Sequence, residues 1–129
     1  LEVFPDGFGI MQPAGDPQGD LIDGLRNAGR ICGSPWMGRG WISRAYGGNG
    51  PVNADYAAFY ADEELKIVAK RYEALLVRTD IMQYHRHWSW GHFPKQAYHS
   101  RNQEYWTTDQ DLFMKRREAG FPADGLVRP

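Results

Sequence analysis

Two short strings in this chain have the residue types and the spacing for chemistry. Asp62-Glu63-Glu64 stands at the front of an amphipathic stretch. Carboxylates at a helix start sit in the positive end of the dipole and are held there as anions. Placed so, one can take a proton from a hydroxyl, ligate a metal or bind a sugar hydroxyl. Ordinary capping of the helix accounts for the same three residues. His85-Arg86-His87 is the second string. On a strand, residues i and i+2 face the same way, so both imidazoles present to one side with Arg86 opposite. Such a pair can bind a divalent metal. Two half-buried histidines inside an aromatic layer are the competing reading.

The surroundings of these strings are aromatic. All four histidines (His85, His87, His92 and His99) fall in a 15-residue window, with Trp88, Trp90 and Trp106 close by. Flat rings of this kind stack on sugars or bases. The Trp88–Trp90 pair is read as ligand-facing and Trp106 as filler of a loop-covered core. Residues 33–50 mix aromatics, arginines and glycines. Lys115-Arg116-Arg117 is expected on the solvated face of the last helix. Phosphate-loop, serine-hydrolase elbow, zinc-protease and paired-cysteine motifs are missing from the sequence. Cys32 has no catalytic surroundings and reads as structural.

Elements must hold these groups in place. Leu65, Val68, Ala69 and Tyr72 follow the i, i+3, i+4, i+7 rule, and Leu75 and Leu76 prolong the apolar face. A helix over 62–74 follows, with acids at its head and Lys70, Arg71 and Arg78 toward its tail. Ile81 to His87 reads as a strand after the Arg78-Thr79-Asp80 turn signal. Residues 91–106 look irregular. A second helix over 109–119 is capped by Thr108 and stopped by Gly120 and Pro122. Upstream, Phe4-Pro5-Asp6-Gly7 is a turn followed by a short strand at 8–11. Leu21 to Arg30 can hold a short helix, weakened by Gly24 and Gly29. Gly47-Gly48-Asn49-Gly50-Pro51 is the best hinge. A helix of 13 residues is about 20 Å long, and the return chain spans as much, so the spacing permits the histidines to reach the acidic helix head.

Composition bounds the function. With 129 residues, 42% hydrophobic and 24% charged, the chain suits one globular domain over 1–129 and not a disordered tail. No 18-residue apolar run is present, so no membrane span is expected. The net charge of −1 argues against nucleic acid as a partner. Residues 1–64 carry 4 basic and 9 acidic side chains, and the remainder carries 11 and 7, an asymmetry that suits a phosphate-bearing ligand or merely solvated faces. A single cysteine excludes an internal disulfide and fits a reducing, cytoplasmic setting.

A family resemblance joins these pieces. Phe4-Pro5-Asp6-Gly7-Phe8-Gly9-Ile10, Tyr60-Ala61-Asp62-Glu63-Glu64-Leu65, Tyr84-His85-Arg86-His87-Trp88, Asp111-Leu112-Phe113, Arg116-Arg117 and Gly120-Phe121-Pro122 come in order along the chain. The series resembles the C-terminal half of bacterial or phage glycosyltransferase-like proteins with the A-type nucleotide-sugar (GT-A) fold. The resemblance implies an α/β fold of mixed α+β type: a short mixed sheet flanked by two main helices, with long Gly- and aromatic-rich loops, like an incomplete GT-A domain. It implies sugar transfer from a nucleotide sugar to a saccharide or protein acceptor. Asp62 would be the base toward the acceptor hydroxyl, with Glu63 the alternative. His85 or His87 would complete a site for Mn2+ or Mg2+, which neutralises the leaving phosphates. The stretch 33–50 would be the acceptor-side loop, with Arg39, Trp41 and Arg44 joining Trp88 and Trp90 as substrate contacts. The Asp-x-Asp motif that such folds carry in their N-terminal half is missing ahead of the acidic helix, and Asp109-Gln110-Asp111 lies in the last helix instead. For this family the chain would therefore be half of a catalytic domain, with activity in question.

Two other readings compete. A non-enzymatic binding or assembly module would use Trp36, Trp41, Trp88 and Trp90 as a ligand or partner surface, in a homo-oligomer. A small metal-dependent hydrolase would use His85, His87 and a carboxylate.

Overall fold

The computed structural model describes residues 3–14, 34–83 and 94–123. The fold is α/β of the mixed α+β kind. A three-stranded mixed sheet has the order β2-β1-β3, with β1 at Ile10–Ala14, β2 at Trp36–Met37 and β3 at Leu75–Met82. β2 runs antiparallel to β1, with Ile10 opposite Met37. β3 runs parallel to it, with Ile10 opposite Leu75 and an irregularity beyond Pro13. The chain between these parallel strands supplies α1 (Arg39–Arg44), a turn at Ala45–Gly48 and α2 (Ala61–Arg71). After β3 come α3 (Ala97–Gln103) and α4 (Trp106–Glu118).

Each element has a local cause. The Phe4–Gly7 turn closes with the Gly7 N–H donating to the Phe4 carbonyl, and Asp6 accepts from the Phe8 N–H at 3.0 Å. α1 lies against this turn, and Gly40 is required there: a Cβ would stand 2.6 Å from the Asp6 carbonyl oxygen. α2 turns Leu65, Val68 and Ala69 inward, as its periodicity predicts. They meet Phe8, Ile10, Trp41, Phe113 and Phe121 in one buried cluster. Each large side chain enclosed there contributes roughly 1.5–3 kcal/mol by leaving water.

Several elements differ from the sequence reading. α2 ends at Arg71, because the chain turns at Glu73, whose φ of 53° is left-handed. β3 takes in Leu75–Val77 and runs on through the Arg78-Thr79-Asp80 turn signal, because parallel pairing on either side, Pro13 with Arg78 and Ala14 with Met82, carries the strand across it; Thr79 and Asp80 fall where the register shifts. The strand at 8–11 is shifted to Ile10–Ala14. Residues 97–103, expected to be irregular, form α3, a helix that buries no side chain and so has no apolar stripe to announce it. α4 starts at Trp106, three residues earlier than expected, so Thr108 lies inside it and Tyr105 stands at its cap. The proposed helix at 21–30, Cys32 and the part of the 81–87 strand beyond Gln83 lie outside the described residues. Among the described residues no helix is long and apolar enough to cross a membrane.

Candidate functional site

The acidic string splits between two tasks. Glu64 is fully buried on the inward face of α2, beside Leu65 and Val68. Its carboxylate accepts four hydrogen bonds: Tyr46 Oη at 3.1 Å, Tyr56 Oη at 2.7 Å, and Arg116 Nε and Nη2 at 2.8 Å each. Burial and the Glu64 charge push both tyrosine hydroxyls up, so they remain donors. The bonds to Glu64 hold the Arg116 guanidinium even more firmly protonated than usual. Arg116 therefore faces inward, not along the solvated face expected for Lys115-Arg116-Arg117. It also donates to the Pro122 carbonyl at 2.7 Å, while Arg71 donates to those of Gly120 and Phe121.

Asp62 and Glu63 face the other way. With Phe59, Tyr60 and Trp106 they line a cleft of about 290 Å³ at the head of α2. Burial pushes the Glu63 carboxyl above the usual range, and the Asp62 charge beside it adds to the rise. Asp62 accepts from the Glu63 backbone N–H at 3.1 Å. Tyr60, at the cap of α2, is left-handed with φ 66°, a conformation that costs a non-glycine residue energy and clusters at functional sites. Its ring is held between Trp106 and Phe113, with centroids at 5.3 and 5.2 Å, and Phe59 meets Trp106 edge-on at 4.9 Å.

The loop that enters α2 is fixed by Asp109. This carboxylate, 2% exposed, accepts the backbone N–H groups of Ala57, Ala58 and Phe59 at 3.0, 2.7 and 2.8 Å. Burial opposes its charge, but the three donors prevail and hold it below the usual carboxylate range. The Asp-x-Asp pattern at 109–111 thus serves as an internal clamp. Trp106 and Asp109 are one helical turn apart, so α4 supplies both the aromatic wall of the cleft and the anchor of its loop.

The remaining candidates are dispersed. Trp41, expected on a ligand surface, is fully buried; its Nε1 donates to the Pro51 carbonyl at 2.9 Å and its ring packs against Phe8. Its bulk is used as core, which removes it from any contact with substrate. Arg44 pairs with Asp6 at 3.3 Å and lies over the Phe8 ring, and Arg39 is exposed at the start of α1. Neither lines the cleft. His85, His87, Trp88 and Trp90 lie outside the described residues. Trp106, read as core filler, is instead 42% exposed on the cleft. No family model, curated protein or solved structure matches the chain.

Proposed function

We propose that the chain is a glycosyltransferase-like domain, transferring a sugar from a nucleotide-sugar donor to an acceptor whose hydroxyl enters the cleft at the head of α2. The observation that supports this reading is one cleft that holds Asp62 and Glu63, the half-buried carboxylates the family resemblance names, beside an aromatic wall of Phe59, Tyr60 and Trp106. Carboxylates take hydroxyl protons, and a ring such as Trp106 takes the apolar face of a sugar.

In the proposed reaction the acceptor hydroxyl donates to a carboxylate of the pair. Glu63, its proton affinity raised first by burial and then by the Asp62 charge beside it, is the base in this reading. As the proton moves to Glu63, the acceptor oxygen bonds to the anomeric carbon of the donor. The bond from that carbon to the phosphate oxygen breaks, and its electrons leave with the nucleoside diphosphate. Among the described residues no three His, Cys, Asp or Glu side chains gather as a metal site requires. By the resemblance, His85 or His87 would hold Mn2+ or Mg2+, which would offset the charge of the leaving phosphates, and no step is routed through it.

The test is release of nucleoside diphosphate from a panel of uridine-, guanosine- and thymidine-diphosphate sugars, with Mn2+ present. Glu63→Gln lowers turnover by roughly 10²–10⁴, the usual contribution of a general base. Absence of both release and calorimetric heat with every donor refutes transfer by this chain.

A further inference from the structure

A second cleft, of about 470 Å³, shares no lining residue with the first. It lies among Tyr46, Asn49, Asn53, Asp55, Arg116 and Pro122. Its volume is within the range of small-molecule sites, roughly 300–1,000 Å³. The first cleft is walled by rings; this one is walled by amides and charges.

Asn53 is the unusual residue. It is 7% exposed, and its Oδ1 accepts the Asp55 backbone N–H at 3.1 Å. That bond fixes the amide orientation, since a flipped amide would set donor against donor. The Nδ2 is then left as a buried donor with no partner among the described residues. Buried donors are nearly always satisfied, so an orphan on the wall of a polar cleft calls for an oxygen atom. Asn49 commits its Nδ2 to the Tyr46 carbonyl at 3.1 Å, which leaves its Oδ1 as an acceptor. Asp55 is exposed and offers two carboxylate oxygens.

The charges decide the ligand class. Arg116 is the cation of this cleft, but its Nε and Nη2 are given to Glu64 and its charge is compensated there. Asp55 leaves the wall with a net negative charge, which repels phosphates and carboxylates. A group able to accept from Asn53 and donate to Asp55 while carrying no charge is a hydroxyl. We infer that the second cleft binds a neutral polyhydroxy ligand, a single sugar ring or a polyol, through Asn53 and Asp55. The inference is independent of the transfer reaction proposed for the first cleft.

The experiment is an NMR titration following the side-chain amides of Asn53 and Asn49 together with the Trp106 indole. The probes are the methyl glycosides of glucose, galactose, mannose and N-acetylglucosamine, with inorganic phosphate as the anionic comparison. At least one glycoside is expected to shift the Asn53 amide saturably. Exposed Asp55 tolerates replacement, and Asp55→Ala should weaken that titration roughly tenfold or more, as loss of a charge-assisted hydrogen bond does. Trp106→Ala should leave it unchanged. The inference is overturned by an Asn53 amide that no glycoside moves, by phosphate moving it at lower concentration than any glycoside, or by an undiminished titration in Asp55→Ala.

Discussion

Replacing Glu64 with glutamine changes one atom and removes one charge, yet the structure makes it the most damaging conservative substitution in the described fold. The wild-type carboxylate serves four donors, each oxygen taking one tyrosine hydroxyl and one arm of Arg116. Glutamine keeps one oxygen, which holds one tyrosine and one arm. Its amide nitrogen faces the other pair; the tyrosine hydroxyl can rotate to accept, but the guanidinium N–H cannot. Arg116, with its side chain 15% exposed, is left as a cation without its counter-charge. Breaking a buried pair from one side costs about 3–5 kcal/mol. Against the 5–15 kcal/mol typical of a whole domain, that is a large share. Urea unfolding followed by tryptophan fluorescence and far-UV circular dichroism measures it, and Tm should fall by roughly 10–20 °C. Glu64→Gln combined with Arg116→Met removes both charges and should recover much of the loss, so the two substitutions are strongly non-additive. A Glu64→Gln cost under about 1 kcal/mol, or simple additivity in the cycle, refutes the account of this cluster.

Three further outcomes follow from the same geometry. Glu63 has a raised pKa in the folded chain, so its ionisation is less favourable folded than unfolded; the penalty appears as pH climbs above the unfolded value near 4.3. Glu63→Gln should therefore raise Tm at pH 7 while lowering turnover, whereas a fall in Tm contradicts the assignment of an acid whose ionisation is penalised by burial. Asp109 has the opposite sign: its stabilisation is complete above about pH 4 and is lost as pH falls through the depressed folded value. Asp109→Asn should cost about 1–3 kcal/mol at pH 7 and flatten the acid limb of the stability profile, read by urea midpoints from pH 2 to 7. Trp106→Ala removes two ring contacts worth about 0.5–1.5 kcal/mol each. Glycoside binding at the first cleft should weaken with it, as monitored by calorimetry, and unchanged affinity removes Trp106 as a platform.

The fold and the cleft were legible to different extents, for identifiable reasons. α2 could be placed because Leu65, Val68, Ala69 and Tyr72 report one face with little interference. The same periodicity runs through Glu64, but an acid among acids at a helix start reads as part of the cap. α4 was half legible. Its inward stripe is Asp109, Leu112, Phe113 and Arg116, so two of four buried or half-buried positions are charged and the apolar rhythm is erased. The two inward charges find partners on other elements, Arg116 on α2 and Asp109 on the loop before it. No local pattern reports such pairing. β3 was misplaced because its middle, Arg78-Thr79-Asp80, is exposed and polar, while the strand is held through Leu75 to Arg78 and Met82 by β1, a strand more than 60 residues earlier in the chain. Asp62 and Glu63 could be placed at the head of α2 from type and position, while the aromatic wall beside them required knowing that α4 returns to the head of α2.

One consequence of the Asp109 clamp concerns what the loop before α2 can no longer do. Three successive backbone N–H groups converging on one point make a ready receptor for an anion, of the sort that elsewhere captures phosphate. Here the seat is already taken by a guest that belongs to the chain. Tethering gives that guest a high local concentration against which a free ligand must compete. A diphosphate arriving at residues 57–59 would have to evict a carboxylate that cannot diffuse away. In the proposed reaction, then, the seat at residues 57–59 is not the one that holds the donor's diphosphate.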